Sequence, residues 1–230
     1  MNVDVCIKKT YDDFVLDAAF NTDVSTLGIL GASGCGKSMT LKCIAGIERP
    51  DEGHILLGDR VLFDSEKKID LKPQERKVGY LFQNYALFPN MTVRQNIMAP
   101  LNMSGTKKEE VAGRMIEQFH LKGLEDHLPM QLSGGQQQRA ALARMMAVRP
   151  SLILLDEPFS ALDVFLKDKL MKEFMAQLLE FKSPVIMVSH NIDEVRTLCE
   201  STAVMEEGRV ERIGETQKVI EDMKKEKGLE

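Results

Sequence analysis

A strand-like run, Ser25 to Leu30, leads directly into Gly31-Ala32-Ser33-Gly34-Cys35-Gly36-Lys37-Ser38. Helical apolar spacing then follows through Met39, Leu41, Ile44, Ala45 and Ile47 up to Pro50. The octapeptide fits G-x-x-x-x-G-K-[ST] at every fixed position and has the strand-before, helix-after context that the pattern requires. The glycines let consecutive backbone N–H groups turn toward one point and form an anion nest, and the helix adds its N-terminal dipole. Lys37 is expected to reach β- and γ-phosphates, and the Ser38 hydroxyl to ligate Mg²⁺. Gly31, Ala32, Ser33, Gly34, Cys35, Gly36, Lys37, Ser38 and Met39 thus form the candidate nucleotide cradle. Cys35 reads either as a thiol activated by the helix N-terminus or as a small side chain that happens to be Cys. The loop alone does not choose among kinases, GTPases and transport ATPases.

Further along, four apolar residues, Leu152 to Leu155, precede two acids, Asp156 and Glu157. A strand buried on both faces would deliver Asp156 at its carboxyl end, where ligands bind in open α/β sheets. Asp156 is expected to hold Mg²⁺, and Glu157 to take a proton from an attacking water.

Strands are also expected over Val3 to Phe20, in two pieces around Tyr11-Asp12-Asp13. A hairpin is expected around Gly58-Asp59, from His54–Leu57 and Arg60–Phe63, after a turn at Asp51-Glu52-Gly53. Val78 to Phe82 reads as a short buried strand, Val185 to Val188 as another, and a last hairpin surrounds Glu207-Gly208. From Asn84 to Pro150 the reading is helical, with a capping box at Thr92 to Gln95. The tail from Glu215 reads as a charged surface helix. The order is α/β core, helical insertion, α/β core.

Hydrophobic residues make up 43% of the 230 and charged residues 28%, an ordinary globular composition. The net charge of -5 lowers the expectation of a nucleic-acid partner. Cys6, Cys35, Cys43 and Cys199 are scattered, with no metal-ligand spacing, and read as reduced thiols of a cytosolic protein. The first ten residues lack the order of a secretion signal. No apolar run approaches the roughly 18 residues that span a bilayer. Membrane work would therefore need another chain.

Leu132-Ser133-Gly134-Gly135-Gln136 precedes a long helical pattern. A capping box explains Ser133 and Gln136. It does not explain two consecutive glycines, each costing about 1 kcal/mol against Ala in a helix. They make sense where something must approach the backbone closely. The stretch Leu132 to Arg139, LSGGQQQR, resembles the signature of ABC ATPases, and the phosphate loop and Leu152 to Pro158 agree with it. The resemblance covers nearly the whole chain. It implies one nucleotide-binding domain over 1–230: an α/β P-loop NTPase (RecA-like) core, an antiparallel β subdomain, and an inserted α-helical subdomain over roughly 84–150.

The same resemblance implies ATP as ligand with Mg²⁺, and a head-to-tail homodimer. Ser133, Gly134, Gly135 and Gln136 of one chain would then meet the nucleotide held by the other. It makes Gln83 the Q-loop glutamine, near Mg²⁺ and the attacking water. It makes Ser160-Ala161-Leu162-Asp163 the D-loop, and His190 the switch histidine on the γ-phosphate. Tyr11 matches the aromatic that stacks on adenine, with Phe14 as the alternative. Asn84 to Pro89 is similar to the segment that touches a permease in importers, or is simply core of the helical lobe. Val61 to Ser65, Pro73 to Tyr80 and Ser189-His190-Asn191 resemble the molybdate and sulfate importer branch. The chain ends soon after the core, which implies the lack of a carboxy-terminal regulatory domain. The resemblance also implies a peripheral place on the cytoplasmic membrane face, a permease, an extracytoplasmic substrate-binding protein, and no nucleic acid.

Overall fold

The computed structural model describes residues 2–160, 171–176, 178 and 180–226. Ala161, Leu162 and Asp163 of the expected D-loop lie outside the described residues.

Alternating apolar side chains make β1 (Val3–Thr10) and β2 (Val15–Thr22) an antiparallel hairpin, paired from Val3↔Thr22 to Thr10↔Val15. β4 (Glu52–Leu57) pairs with β1, and β5 (Arg60–Asp64) and β6 (Ile69–Asp70) extend that antiparallel arm. The parallel part holds β3 (Thr26–Leu30), β7 (Val78–Leu81), β8 (Leu152–Asp156), β9 (Val185–Ser189) and β10 (Ser201–Glu206). β11 (Arg209–Glu215) runs antiparallel to β10 and meets β2 at a single pair, Arg209↔Asp17. The order across the sheet is β6-β5-β4-β1-β2-β11-β10-β3-β9-β8-β7.

β8 and β9 are buried throughout because both their faces are covered. Ile153, Leu155, Val185 and Met187 face one core, shared with α3 (Val93–Met98), α4 (Gly105–Gln118) and α5 (Gly134–Met146). Met171, Phe174 and Met175, in the helical stretch 171–176 (α6), join them. Leu152, Leu154, Ile186 and Val188 face the other core, with α1 (Lys37–Ala45) and the antiparallel arm. α7 (Ile192–Leu198) lies so close on β3 that a Cβ at Gly28 would sit 2.4 Å from Val195. α8 (Thr216–Glu226) buries Val219 and Ile220. The three helices α3 to α5 lie between β7 and β8 in the chain, as the helical insertion between two α/β parts requires.

Four local expectations need correction. α1 stops at Ala45 rather than running to Pro50: Gly46 takes φ 78 and its N–H closes on the Cys43 carbonyl, which leaves Ile47 42% exposed. Glu52 and Gly53 belong to β4 rather than to a turn. Gly53 takes φ 103, and a Cβ there would lie 1.9 Å from the Cys6 carbonyl oxygen. The strand from Val78 ends at Leu81 and forms the sheet edge, so Val78 and Tyr80 are only half-buried. Between β5 and β7 the chain adds the short β6 and one helical turn, α2 (Pro73–Arg76), that no periodicity announced.

Candidate functional site

The octapeptide crosses from the carboxyl end of β3 to the first turn of α1. Gly34 and Gly36 adopt φ 84 and 107, which side-chain-bearing residues rarely take. Gly31 has no space for a Cβ, which would approach the Met205 carbonyl oxygen to 2.3 Å. Lys37 is buried and donates to the carbonyls of Gly31 and Ala32, both at 2.8 Å. Its ammonium thus stands folded over the mouth of the loop. A cavity of about 1360 Å³ opens beside the loop, lined by Gly31 to Cys35, Phe14, Met205 and His190 among others.

Leu154 and Asp156 point to the α1 face of the sheet, which brings Asp156 under Ser38. The Ser38 hydroxyl donates to Asp156 Oδ1 at 2.6 Å, and the Tyr80 hydroxyl donates to Oδ2 at 2.7 Å. Asp156 is 7% exposed. Burial, reinforced by the charge of Asp156, pushes the Tyr80 phenol well above its ordinary pKa, so it stays a donor. The Ser38 and Asp156 oxygens are hard donors of the kind Mg²⁺ takes when phosphates and water complete its shell. Among the described residues no group of three or more His, Cys, Asp and Glu converges.

Glu157 turns away from Asp156 through a left-handed backbone, φ 48, and its N–H donates to the Val188 carbonyl. This turn sends the carboxylate to His190, whose Nδ1 lies 2.7 Å from Glu157 Oε2. The imidazole is 57% exposed and the carboxylate side chain 15%. His190 is framed by fixed neighbours: the buried Ser189 hydroxyl donates to Glu194 and accepts from the Asn191 N–H, and Asn191 caps α7. The Gln83 amide points to the Ser160 hydroxyl at 3.4 Å rather than to the Ser38–Asp156 pair.

Tyr11 and Phe14 part company. The Tyr11 hydroxyl donates to the Met39 sulfur, and burial together with Glu48 pushes its phenol up to about 12. Phe14 lines the cavity and would meet a Cβ at Gly36. Cys35 is buried, with its sulfur 2.6 Å from the place a Gly31 Cβ would take.

Ser133 caps α5 by accepting from the Gln136 N–H, and the Gln136 side chain accepts from the Ser133 N–H, the capping box read from sequence. A Cβ at Gly134 or Gly135 would meet nothing within 4 Å. The Ser133–Gln136 turn does not line the phosphate-loop cavity of its own chain.

Several residues of the site carry no individual role in the sequence reading. Gln138, buried on α5, donates to the Pro158 carbonyl and ties that helix to the turn after Glu157. Arg144 donates to the carbonyls of Tyr85 and Ala86, both of which have positive φ, and lies over the Phe88 ring. The buried Asn96 amide bonds to Phe88, Met91 and Thr92 backbone. The segment after Gln83 is thus divided: Tyr85 is core, and Phe88 is 47% exposed. Tyr80 could have been suspected as the one polar tip in an apolar strand. The others make bonds set by tertiary placement, which periodicity does not carry.

A phosphate loop joined to a metal-ready Ser–Asp pair and a Glu–His pair defines a nucleotide-handling site on an α/β sheet. Residues 22–160 match the ABC transporter family model, and the chain belongs to that family. It is 38% identical to the spermidine/putrescine import ATP-binding protein PotA of Oleidesulfovibrio alaskensis, over 95% of this chain and 56% of that protein. It is 35% identical to the molybdenum import ATP-binding protein ModC of Paramagnetospirillum magneticum, over 96% of this chain and 61% of that one. With the sulfate/thiosulfate import ATP-binding protein CysA of Thermosynechococcus vestitus the figures are 40%, 90% and 62%. The chain thus spans a little over half the length of these relatives. Among solved structures, the ABC cassette MJ0796 as a dimer bound to ADP and Pi superposes with TM-score 0.75 at 29% identity, over 94% of this chain and 99% of that one. The protein cbiO1 of Clostridium perfringens, part of the transporter complex cbiONQ, gives 0.80 at 26%, over 96% and 91%. The fold is that of an ABC ATPase cassette.

Proposed function

We propose that this chain is the ATP-hydrolysing subunit of an ABC importer, working as a head-to-tail homodimer beneath a membrane permease. The Glu157–His190 contact, set beside the Ser38–Asp156 pair at the mouth of the phosphate loop, carries this reading. Lys37 leaves the Gly31 and Ala32 carbonyls for the β- and γ-phosphates. Ser38 and Asp156 would hold the Mg²⁺ that comes with ATP, which would supply charge neutralisation at the phosphates. Glu157 accepts the proton of the attacking water, and His190 holds the carboxylate and meets the γ-phosphate. Gln83 stands by for the metal and the water.

The open space over Gly134 and Gly135 supports a second contact made from outside. Nothing inside the chain requires glycine at either position, and both cost helix stability. A partner's nucleotide lying on Ser133 to Gln136 supplies the reason. ATP then favours the closed dimer, because only the closed state meets the γ-phosphate twice. MJ0796 is itself a dimeric cassette.

The exposed Phe88, held by Arg144 at the end of the segment from Gln83, is the natural permease contact. The cargo is a molybdate-type or sulfate-type oxyanion, delivered by an extracytoplasmic binding protein. ModC and CysA among the relatives support this. PotA, at a similar identity, supports a polyamine instead. Uptake of molybdate, sulfate and spermidine in a strain lacking this gene separates the two: loss of spermidine uptake alone would overturn the oxyanion reading.

The motor itself is tested by Glu157→Gln. This variant is expected to bind ATP, to turn over at least about 100-fold more slowly, and to accumulate as a dimer in ATP by size-exclusion chromatography. Unchanged phosphate release would remove Glu157 from its role.

A further inference from the structure

β7 is the edge strand of the parallel sheet, and one of its side chains reaches the site. Tyr80 pairs with Leu154 across the parallel β7–β8 register, so both lie on the α1 face of the sheet. Asp156 lies two residues beyond Leu154 on that same face. A tyrosine is long enough to cover this diagonal, and its hydroxyl reaches Asp156 Oδ2 at 2.7 Å. Oδ1 faces the other way, toward the Ser38 hydroxyl. The ring of Phe82, two residues beyond Tyr80 and just past the end of β7, lies 4.4 Å from the Tyr80 ring between centroids and restrains it.

We propose that Tyr80 is a positioning residue for the metal-holding carboxylate, a proposal that rests on the reading of Asp156 given above. A carboxylate on a single Cβ rotates about χ2 with little resistance. With Oδ2 tied to a half-buried phenol, only Oδ1 is free to turn toward the metal shell beside Ser38. The phenol also occupies the Oδ2 acceptor position that a water would otherwise take. This is the arrangement by which an outer hydroxyl fixes the ligand that touches a metal. Tyr80 is also three residues from Gln83 on one strand and its outgoing loop, so a pull on that loop moves the phenol, and with it Asp156.

The test uses Mn²⁺ as the probe for the metal, in the full-length chain with ADP bound, read by electron paramagnetic resonance. Tyr80→Phe removes one oxygen and keeps the ring on Phe82. About tenfold weaker Mn²⁺ binding is expected, with a broadened signal and ADP affinity in metal-free buffer unchanged. Steady-state ATPase should need about tenfold more metal for half its maximal rate, while KM for ATP at saturating metal moves little. Asp156→Asn is the control on the underlying reading, and it should weaken Mn²⁺ further than Tyr80→Phe does. If Asp156→Asn binds Mn²⁺ like the parent chain, the metal role of Asp156 fails. If Asp156→Asn weakens Mn²⁺ and Tyr80→Phe does not, the positioning role of Tyr80 fails alone. A lowered melting temperature with unchanged Mn²⁺ affinity in Tyr80→Phe would likewise overturn it, by making the bond purely structural.

Discussion

Arg76 is the largest fully buried side chain in the described structure, at 0% exposure. Its guanidinium reaches the carbonyls of Leu71, Cys43 and Ile44, and Asp70 Oδ1 at 3.0 Å. Two of those carbonyls belong to the last turn of α1, where backbone acceptors lack intrahelical partners. The planar fork of Arg serves four acceptors that a Lys ammonium cannot reach at once. Burial lowers the Arg76 pKa and Asp70 opposes that, so the charge is kept by its partner. Arg76→Leu is expected to destabilise the fold by about 3–5 kcal/mol, because buried carbonyls lose their donor. Arg76→Lys should recover only part of this. Urea midpoints should fall while the slope with urea stays constant. A loss under 1 kcal/mol would show that water replaces the guanidinium. Since α1 also carries Lys37 and Ser38, the residue fixes the far end of the helix that opens the phosphate loop.

The helix that begins at Ser133 gives a prediction with two opposite signs. Gly134 and Gly135 begin α5, with nothing near a Cβ at either. Gly135→Ala should therefore stabilise the isolated chain by up to roughly 0.5–1 kcal/mol through backbone entropy. The same methyl should obstruct the partner's nucleotide and abolish ATP-dependent dimerisation of the Glu157→Gln chain. Thermal unfolding and chromatography in ATP read the two effects separately. A dimer that survives the methyl would remove the glycines from the interface. This helix was largely legible in the sequence, since the capping box at Ser133 and Gln136 is a local bond between residues three apart. The box at Thr92 and Gln95 held for the same reason. β7 was misread as buried because an apolar run carries no record of which strand lies beside it. The end of α1 was misread because Ile47 continues the apolar spacing while Gly46 stops the helix. The three bonds that Arg144 and Gln138 make to distant carbonyls depend on tertiary placement alone.

At the scale of the whole molecule, the site is assembled by the sheet order. β3, β9 and β8 are neighbours, so their carboxyl ends bring the phosphate loop, His190 and Asp156-Glu157 to one edge. The phosphate loop and Asp156-Glu157 were legible singly, because each is a short run after an apolar strand, and both were expected at Mg²⁺. The role of His190 was legible only through the resemblance. The Ser133–Gln136 turn stays apart from that cavity, and this separation has a thermodynamic consequence. If one chain sufficed for the site, ATP would raise the melting temperature by an amount independent of protein concentration. If two chains close on ATP, unfolding must also dissociate them, and mass action enters. Each tenfold rise in concentration of the Glu157→Gln chain in ATP should then stabilise the dimer by about 1.4 kcal/mol. The dimer unfolds two chains together, with about twice the unfolding entropy of one, so this corresponds to a melting temperature about 1.5 °C higher. Without nucleotide, the melting temperature should stay constant over the same range. Adding Ser133→Arg to Glu157→Gln should abolish the concentration dependence while leaving the ATP-induced shift of the single chain, because Lys37 and Ser38 are untouched. Differential scanning calorimetry over a hundredfold range of concentration reads all three. A concentration-independent shift in the Glu157→Gln chain would place the whole nucleotide contact within one molecule and remove Ser133 to Gln136 from it.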